Sequence, residues 1–230
     1  MKKLVIVIVI VCSLGSCAKD DLLYSCNKEA DSWIKNNLAN VQDMTRVEWL
    51  AIGDLTLQNA AYVAFSPSQR EALWIGKMEE VLTLDWSVPE RKHIQTALDL
   101  MNTYSSYIFS NEPIPQHISD ELEIINYKWE TYAREELRWC SSLLYAILFT
   151  PQAMNYNKEI DTNFNPVRLK NRSESSTPPD CKCNVDKKVG CEKGEECRTR
   201  ECRELVKLCG SIFARVSCDG MCVIVIPGAT

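Results

Sequence analysis

The 230-residue chain is poor in the residues that most enzymatic chemistry uses. It has two histidines, His93 and His117, and no two of its twelve cysteines are spaced as CxxC. Structural zinc sites are built from such cysteine pairs, or from a pair matched by histidines. A thiol redox centre also needs CxxC. There is no G-x-S-x-G, H-E-x-x-H, glycine-rich phosphate loop or EF-hand pattern, so the motifs of those hydrolases, metalloproteases and nucleotide binders are missing. The adjacent carboxylates Glu79-Glu80 and Glu135-Glu136 lie on different faces of predicted helices and read as solvated surface. With 26 basic and 31 acidic residues the net charge is −5, which lacks the basic surplus of a nucleic-acid binder. Apolar runs are short: "LVIVIVIVC" at the start and "VIVI" near the end, against the ~20 residues that span a bilayer. No cofactor, metal, nucleic-acid partner or catalytic residue is expected.

The start of the chain indicates a compartment. "MKK" is positive, the apolar run follows, and "LGSC" ends at Cys17, which is the three-part pattern of a secretory leader over residues 1–16. Leu14-Gly15-Ser16-Cys17 resembles the lipobox of bacterial lipoproteins. The resemblance implies cleavage before Cys17 and lipid on its thiol; the alternative is an ordinary leader with a chance cysteine. Lys19-Asp20-Asp21 resembles the acidic export signal of Bacteroidota lipoproteins, which implies the outer membrane and its outer face. A solvated acidic linker is the alternative. In either case the chain is expected outside the cytosol, where disulfides persist.

Two regions follow. Residues 17–165 hold all six tryptophans and read as an α-helical bundle; residues 181–230 hold none. Between them, 166–180 are rich in Ser, Pro and charge and read as a linker. In the first region "FSPSQREALW" offers Ser66 as an N-cap, Pro67 at the first helical position and Gln69 to complete a capping box. A second helix is expected from Ser87. A long third one is expected from Ser119 to about 149, with Leu122, Ile125, Trp129, Tyr132/Ala133, Leu137, Cys140, Leu144 and Leu148 as its stripe. Further helices are expected over about 27–38 and 41–64. From 181 onward nine basic and seven acidic residues give +2, against −9 for residues 17–180. These are two solvated surfaces, or else an acidic body that shields a basic tail.

Eight cysteines crowd the tail: Cys181, Cys183, Cys191, Cys197, Cys202, Cys209, Cys218 and Cys222. A disulfide framework is the expected reading. Fifty residues with little Leu, Ile or Phe bury too small a core, and each bridge adds about 2–4 kcal/mol. Four bridges would make the tail independent of the body. "SIFARVSC" and "MCVIVI", joined by Asp219-Gly220, read as a β-hairpin. In that register Cys218 faces Met221, and Ser217 faces Cys222. Cys218 and Cys222 then point to opposite faces and should not bond each other. Cys181 and Cys183 should likewise have separate partners. "TRECRELVKLCG" reads as a short helix, with Thr199 as its cap and Gly210 as its stop, that presents Cys202 and Cys209 to the hairpin. With Cys17 taken by lipid, Cys26 and Cys140 are a candidate pair between the first helix and the long one; two buried free thiols are the alternative.

Ser66-Pro67-x-x-Arg70-x-x-Leu73-Trp74, together with Cys209-Gly210 and Cys218-Asp219-Gly220-x-Cys222, resembles the bacteriocin fulvocin C-related proteins. The resemblance implies an antibacterial role. The expected function is therefore that of a bacteriocin-like precursor, anchored to the membrane through Cys17. Its cysteine-rich module, used at contact or released by cleavage near 165–180, acts without enzymatic chemistry on a target-cell envelope component. Nothing in the sequence assigns an immunity partner. The alternative is a surface binding or adhesion lipoprotein with a permanent disulfide-rich recognition module.

Overall fold

The structure, a computed structural model, describes residues 22–25, 27–161, 185, 191, 195–199, 209–215 and 218–224. Cys17, Cys26, Cys181, Cys183, Cys202, the linker and the expected short helix between Thr199 and Gly210 lie outside the described residues. Within them the chain is mostly helical, with a small two-stranded C-terminal region. That is the coarse architecture expected from the sequence.

Local chemistry sets most helix starts. The first helix, α1 (Lys28–Asn36), begins where Asn27 Oδ1 accepts from the N–H groups of Glu29 and Ala30. The expected helix over 41–64 is three shorter ones: α2 (Leu38–Gln42), α3 (Arg46–Leu50) and α4 (Leu55–Ala64). Two new N-caps cause the division. Thr45 and Glu48 form a capping box, and Asp54 accepts from Leu57 N–H at 2.8 Å. Helix α5 (Pro67–Leu82) starts as expected, with Ser66 Oγ accepting from Gln69 N–H and Gln69 Oε1 accepting from Ser66 N–H. At the start of α6 (Val88–Thr103) the Glu90 carboxylate accepts from both the N–H and the O–H of Ser87. A single turn, α7 (Ser105–Ile108), follows.

The expected long helix is two helices. The first, α8 (Gln116–Glu135), starts three residues before Ser119, with Pro115 at its N-cap. The second is α9 (Ser141–Leu148). Between them Arg138 adopts φ 58°, a left-handed conformation that costs a non-glycine residue energy. Tertiary contacts hold it there. Trp139 N–H donates to Ala133 O at 2.9 Å, and the Trp139 indole turns inward to donate to Glu90 Oε1 at 3.0 Å. His93 stacks on Trp129 at 4.1 Å, and Trp139 meets both rings edge-on at 5.7 Å. Because the helix breaks, the stripe fails at Cys140, which is exposed.

The core runs through Trp49, Trp74, Met78, Ile94, Met101, Leu122, Trp129 and Ile147. It also contains a cation. Lys77 is fully buried on α5, and its Nζ donates to the carbonyls of Ala146, Thr150 and Gln152. Ala146 lies in the last turn of α9, whose carbonyls have no intrahelical donor. Burial pushes the Lys77 ammonium well below its usual range, with Arg46 nearby acting in the same direction. Arg46 grips the Glu80 carboxylate with two nitrogens, at 2.9 and 2.8 Å, and donates to Pro151 O at 2.6 Å. Two cations thus hold the segment after α9 against α3 and α5. Among the described residues no helix is long and apolar enough to cross a membrane.

Candidate functional site

The sequence places the candidate site in the cysteine-rich tail, and the structure shows how that tail is held. Two strands, β1 (Glu195–Arg198) and β2 (Met221–Ile224), pair antiparallel with Cys197 opposite Cys222. The expected hairpin differs: β2 pairs with a strand upstream of the apolar run, and Ser211–Arg215 form bends rather than a strand. Asp219-Gly220 is accordingly not a two-residue hairpin turn. Asp219 Oδ1 accepts from Val185 N–H at 2.7 Å. A Cβ on Gly220 would lie 2.6 Å from Val185 Cγ2 and 2.8 Å from Cys197 Sγ. Glycine is needed there for close packing.

The bridges explain the changed pairing. Cys191 bonds Cys222, with Cα atoms 5.5 Å apart, and Cys209 bonds Cys218 at 5.3 Å. Cys218 and Cys222 have separate partners, as expected, although the hairpin register behind that expectation is not formed. Cys197 is also disulfide-bonded. The Cys191 bridge ties β2 to the chain just before β1, and a local turn preference is weaker than that covalent constraint.

The Cys209–Cys218 bridge closes a short loop, and this loop enters the helical body. Ile212 is 1% exposed and Phe213 3%, and both belong to the same apolar core as the tryptophans. Ile212 N–H donates to Leu148 O at the end of α9, at 2.9 Å. Ser211 Oγ donates to Asn126 Oδ1 on α8 and accepts from Ala214 N–H. Gly210 makes the bend possible. It has φ +94°, and a Cβ there would lie 2.2 Å from Ala214 O. Arg215 then lies over the rings of Tyr62 and Trp74, 5.3 Å from each centroid, and donates to the Tyr62 hydroxyl. The apolar run "SIF" is therefore a plug in the body. The sequence showed its hydrophobicity but not what would cover it, and the expected independence of the tail fails at this loop.

The other sequence candidates lie elsewhere. Cys140 is an exposed free thiol at the N-cap of α9, with Sγ 3.0 Å from Ser142 Oγ. The expected Cys26–Cys140 bridge is therefore not formed, and the alternative of a buried thiol does not hold for Cys140 either. Hydrogen bonds from Ser142 and from the backbone of Leu143 hold the Cys140 thiol below its usual range. His93 is buried, and its Nε2 faces Trp129 O at 3.1 Å. Beside the seat of the loop, α8 carries an open depression of about 250 Å³ lined by Asn126, Tyr127, Glu130, Thr131 and Arg134. Glu130 there is paired with Arg134 at 3.5 Å and accepts from Asn126.

Protein-family models, curated proteins and solved structures were compared with the chain, and none matches. The functional reading therefore rests on the residues and their geometry.

Proposed function

We propose that this is an exported lipoprotein of the cell envelope, without enzymatic activity, in which the cysteine-rich tail is a permanent recognition module seated on a helical body. Lipid on Cys17 holds it at the membrane, and the tail faces outward to meet a surface component. One observation carries this choice over a releasable tail: Ile212 and Phe213 sit in the body's core behind the Cys209–Cys218 bridge. Exposing two such side chains costs about 1.5–3 kcal/mol each. A tail that leaves the body would also lose the Ile212–Leu148 hydrogen bond and the Arg215 stack. These contacts favour a tail that stays seated after the linker is cut.

The second reading is the bacteriocin-like precursor. Its support is the likeness of the cysteine pattern and of the Ser66–Trp74 segment to fulvocin C-related proteins, and the seat itself, which covers the tail's apolar residues as an inhibitory body would. One experiment separates the two. A protease site placed at 171–176 is cut in the purified, oxidised chain, which is then chromatographed by size and tested on related bacteria. Co-elution of body and tail without killing supports the permanent module. A tail that dissociates on cutting and kills would replace it with the precursor.

A further inference from the structure

We propose that the seated tail completes an anion-binding site, of a size and charge suited to a phosphate group, formed by Arg70 and Tyr62 of the body and Arg215 of the tail. This inference requires only that the tail be seated, and it holds whether or not the tail is ever released. Three observations point to the same place.

First, two guanidinium groups lie beside Trp74 without a counter-charge among the described residues. Arg70 lies one turn before Trp74 on α5, and Arg215 covers the Trp74 ring. Desolvation lowers the Arg70 pKa, Tyr62 opposes that shift, and Arg215 adds a smaller lowering, so all three groups lie within electrostatic reach of one another. Neither arginine forms an ion pair with a carboxylate among the described residues. Elsewhere in the body Arg46 holds Glu80 and Arg134 holds Glu130, while Arg91 donates to the carbonyls of Leu82 and Leu84.

Second, their donors are largely unused. Arg215 donates to the Tyr62 hydroxyl, and Arg70 donates to Asn111 Oδ1. The Arg70 Nε is buried and has no acceptor. A guanidinium offers five N–H groups, so most of the donors of this pair remain open.

Third, Tyr62 is itself set up to donate. Its oxygen accepts from Arg215 and also from Trp74 Nε1 at 3.2 Å. A phenol oxygen with two incoming donors still carries its own proton, and no acceptor faces that proton among the described residues. Two like charges, an unmatched buried N–H and a hydroxyl proton form a donor set that a multi-oxygen anion would satisfy. Arginine recognises phosphate by paired N–H···O bonds. No carboxylate among the described residues pairs with either arginine, and the proposed anion comes from outside the chain. A soluble phosphate and a lipid phosphate headgroup are the two sources of that chemistry.

The test is calorimetric titration of the full oxidised chain with inorganic phosphate at constant ionic strength, set against Arg70→Gln, Arg215→Gln and Arg134→Gln. Saturable binding in the millimolar range or tighter is expected in the wild type. Loss of a charge-assisted hydrogen bond should weaken it about tenfold or more in Arg70→Gln and Arg215→Gln, with no change in Arg134→Gln. If Arg215→Gln loses its native near-ultraviolet circular dichroism, Arg70→Gln decides, since Arg70 lies outside the tail. Vesicles with and without phosphatidic acid then separate the sources: capture by the former, competed by inorganic phosphate, identifies a headgroup. Capture by neither, with phosphate bound in solution, identifies a free ion. Heat of dilution alone in the wild type, or equal binding by all three variants, would overturn the proposal.

Discussion

Phe213→Ala tests whether body and tail share one core. Phe213 is 3% exposed and sits among buried residues of the helices. Removing a buried phenyl ring costs about 3–5 kcal/mol, from lost transfer energy and from the cavity left behind. In a cooperative unit of this size each kcal/mol lowers Tm by about 2–4 °C. The expected shift is therefore about 6–20 °C, taken from the lower and upper ends of both ranges. The assay is thermal unfolding followed at 222 nm, which reports the helices, in parallel with tryptophan emission. All six tryptophans precede the linker, so both probes follow mainly the body although the substitution is in the tail. A large downward shift in both probes, with one transition, means that the loop is part of the body's core. An unchanged body transition would refute the seat, and with it the preference for a permanent module.

Three further outcomes are expected. Lys77→Met should destabilise the chain by about 3 kcal/mol or more in urea, because three buried carbonyls lose their donor at about 1–3 kcal/mol each; a stability equal to wild type would mean that water replaces the ammonium. Cys140 should be alkylated in the folded chain without denaturant, and faster than an ordinary cysteine near neutral pH, because its thiol is exposed and held below the usual range; protection from alkylation that disappears on reduction would restore a bridge. Burial holds the His93 imidazole below its usual range, outweighing the Trp129 carbonyl, which acts in the opposite direction. The unfolded chain then takes up this proton first, so the stability from neutral His93 is present above pH 6.5 and is lost as pH falls toward the lower folded value. His93→Gln should flatten that acid-side decline in Tm, and an equally steep decline would assign it to other groups.

What the sequence revealed divides along the range of the forces involved. Ser66, Pro67 and Gln69 act within one turn, so their cap could be read directly. The same holds for the start at Ser87. The break at Arg138 could not be read, because no glycine or proline marks it. It exists because Trp139 reaches Glu90, 49 residues away in sequence. The Asp219-Gly220 turn signal failed for a related reason, since β2 found its partner through Cys191–Cys222 and a glycine packed against Cys197. The separate partners of Cys218 and Cys222 agree with the expectation, but the hairpin register behind it is not formed. The plug at Ile212 and Phe213 was visible as an apolar run, but its cover lies in the helices. The pairing of Cys140 was inferred by counting thiols, and counting gives no geometry.

The seat of the 209–218 loop also sets an order on assembly. A chain that emerges amino end first exposes α1 to α9 long before Ile212 and Phe213 are available. A bundle formed before then would present the apolar lining of an unfilled space to water. The residues that complete the interior are thus the last in chain order, and the Cys209–Cys218 bridge closes the loop that carries them. A chain cut short before residue 212 would lack the final part of its own interior, so truncated copies should be open to proteases across the helical region as well as at the missing end.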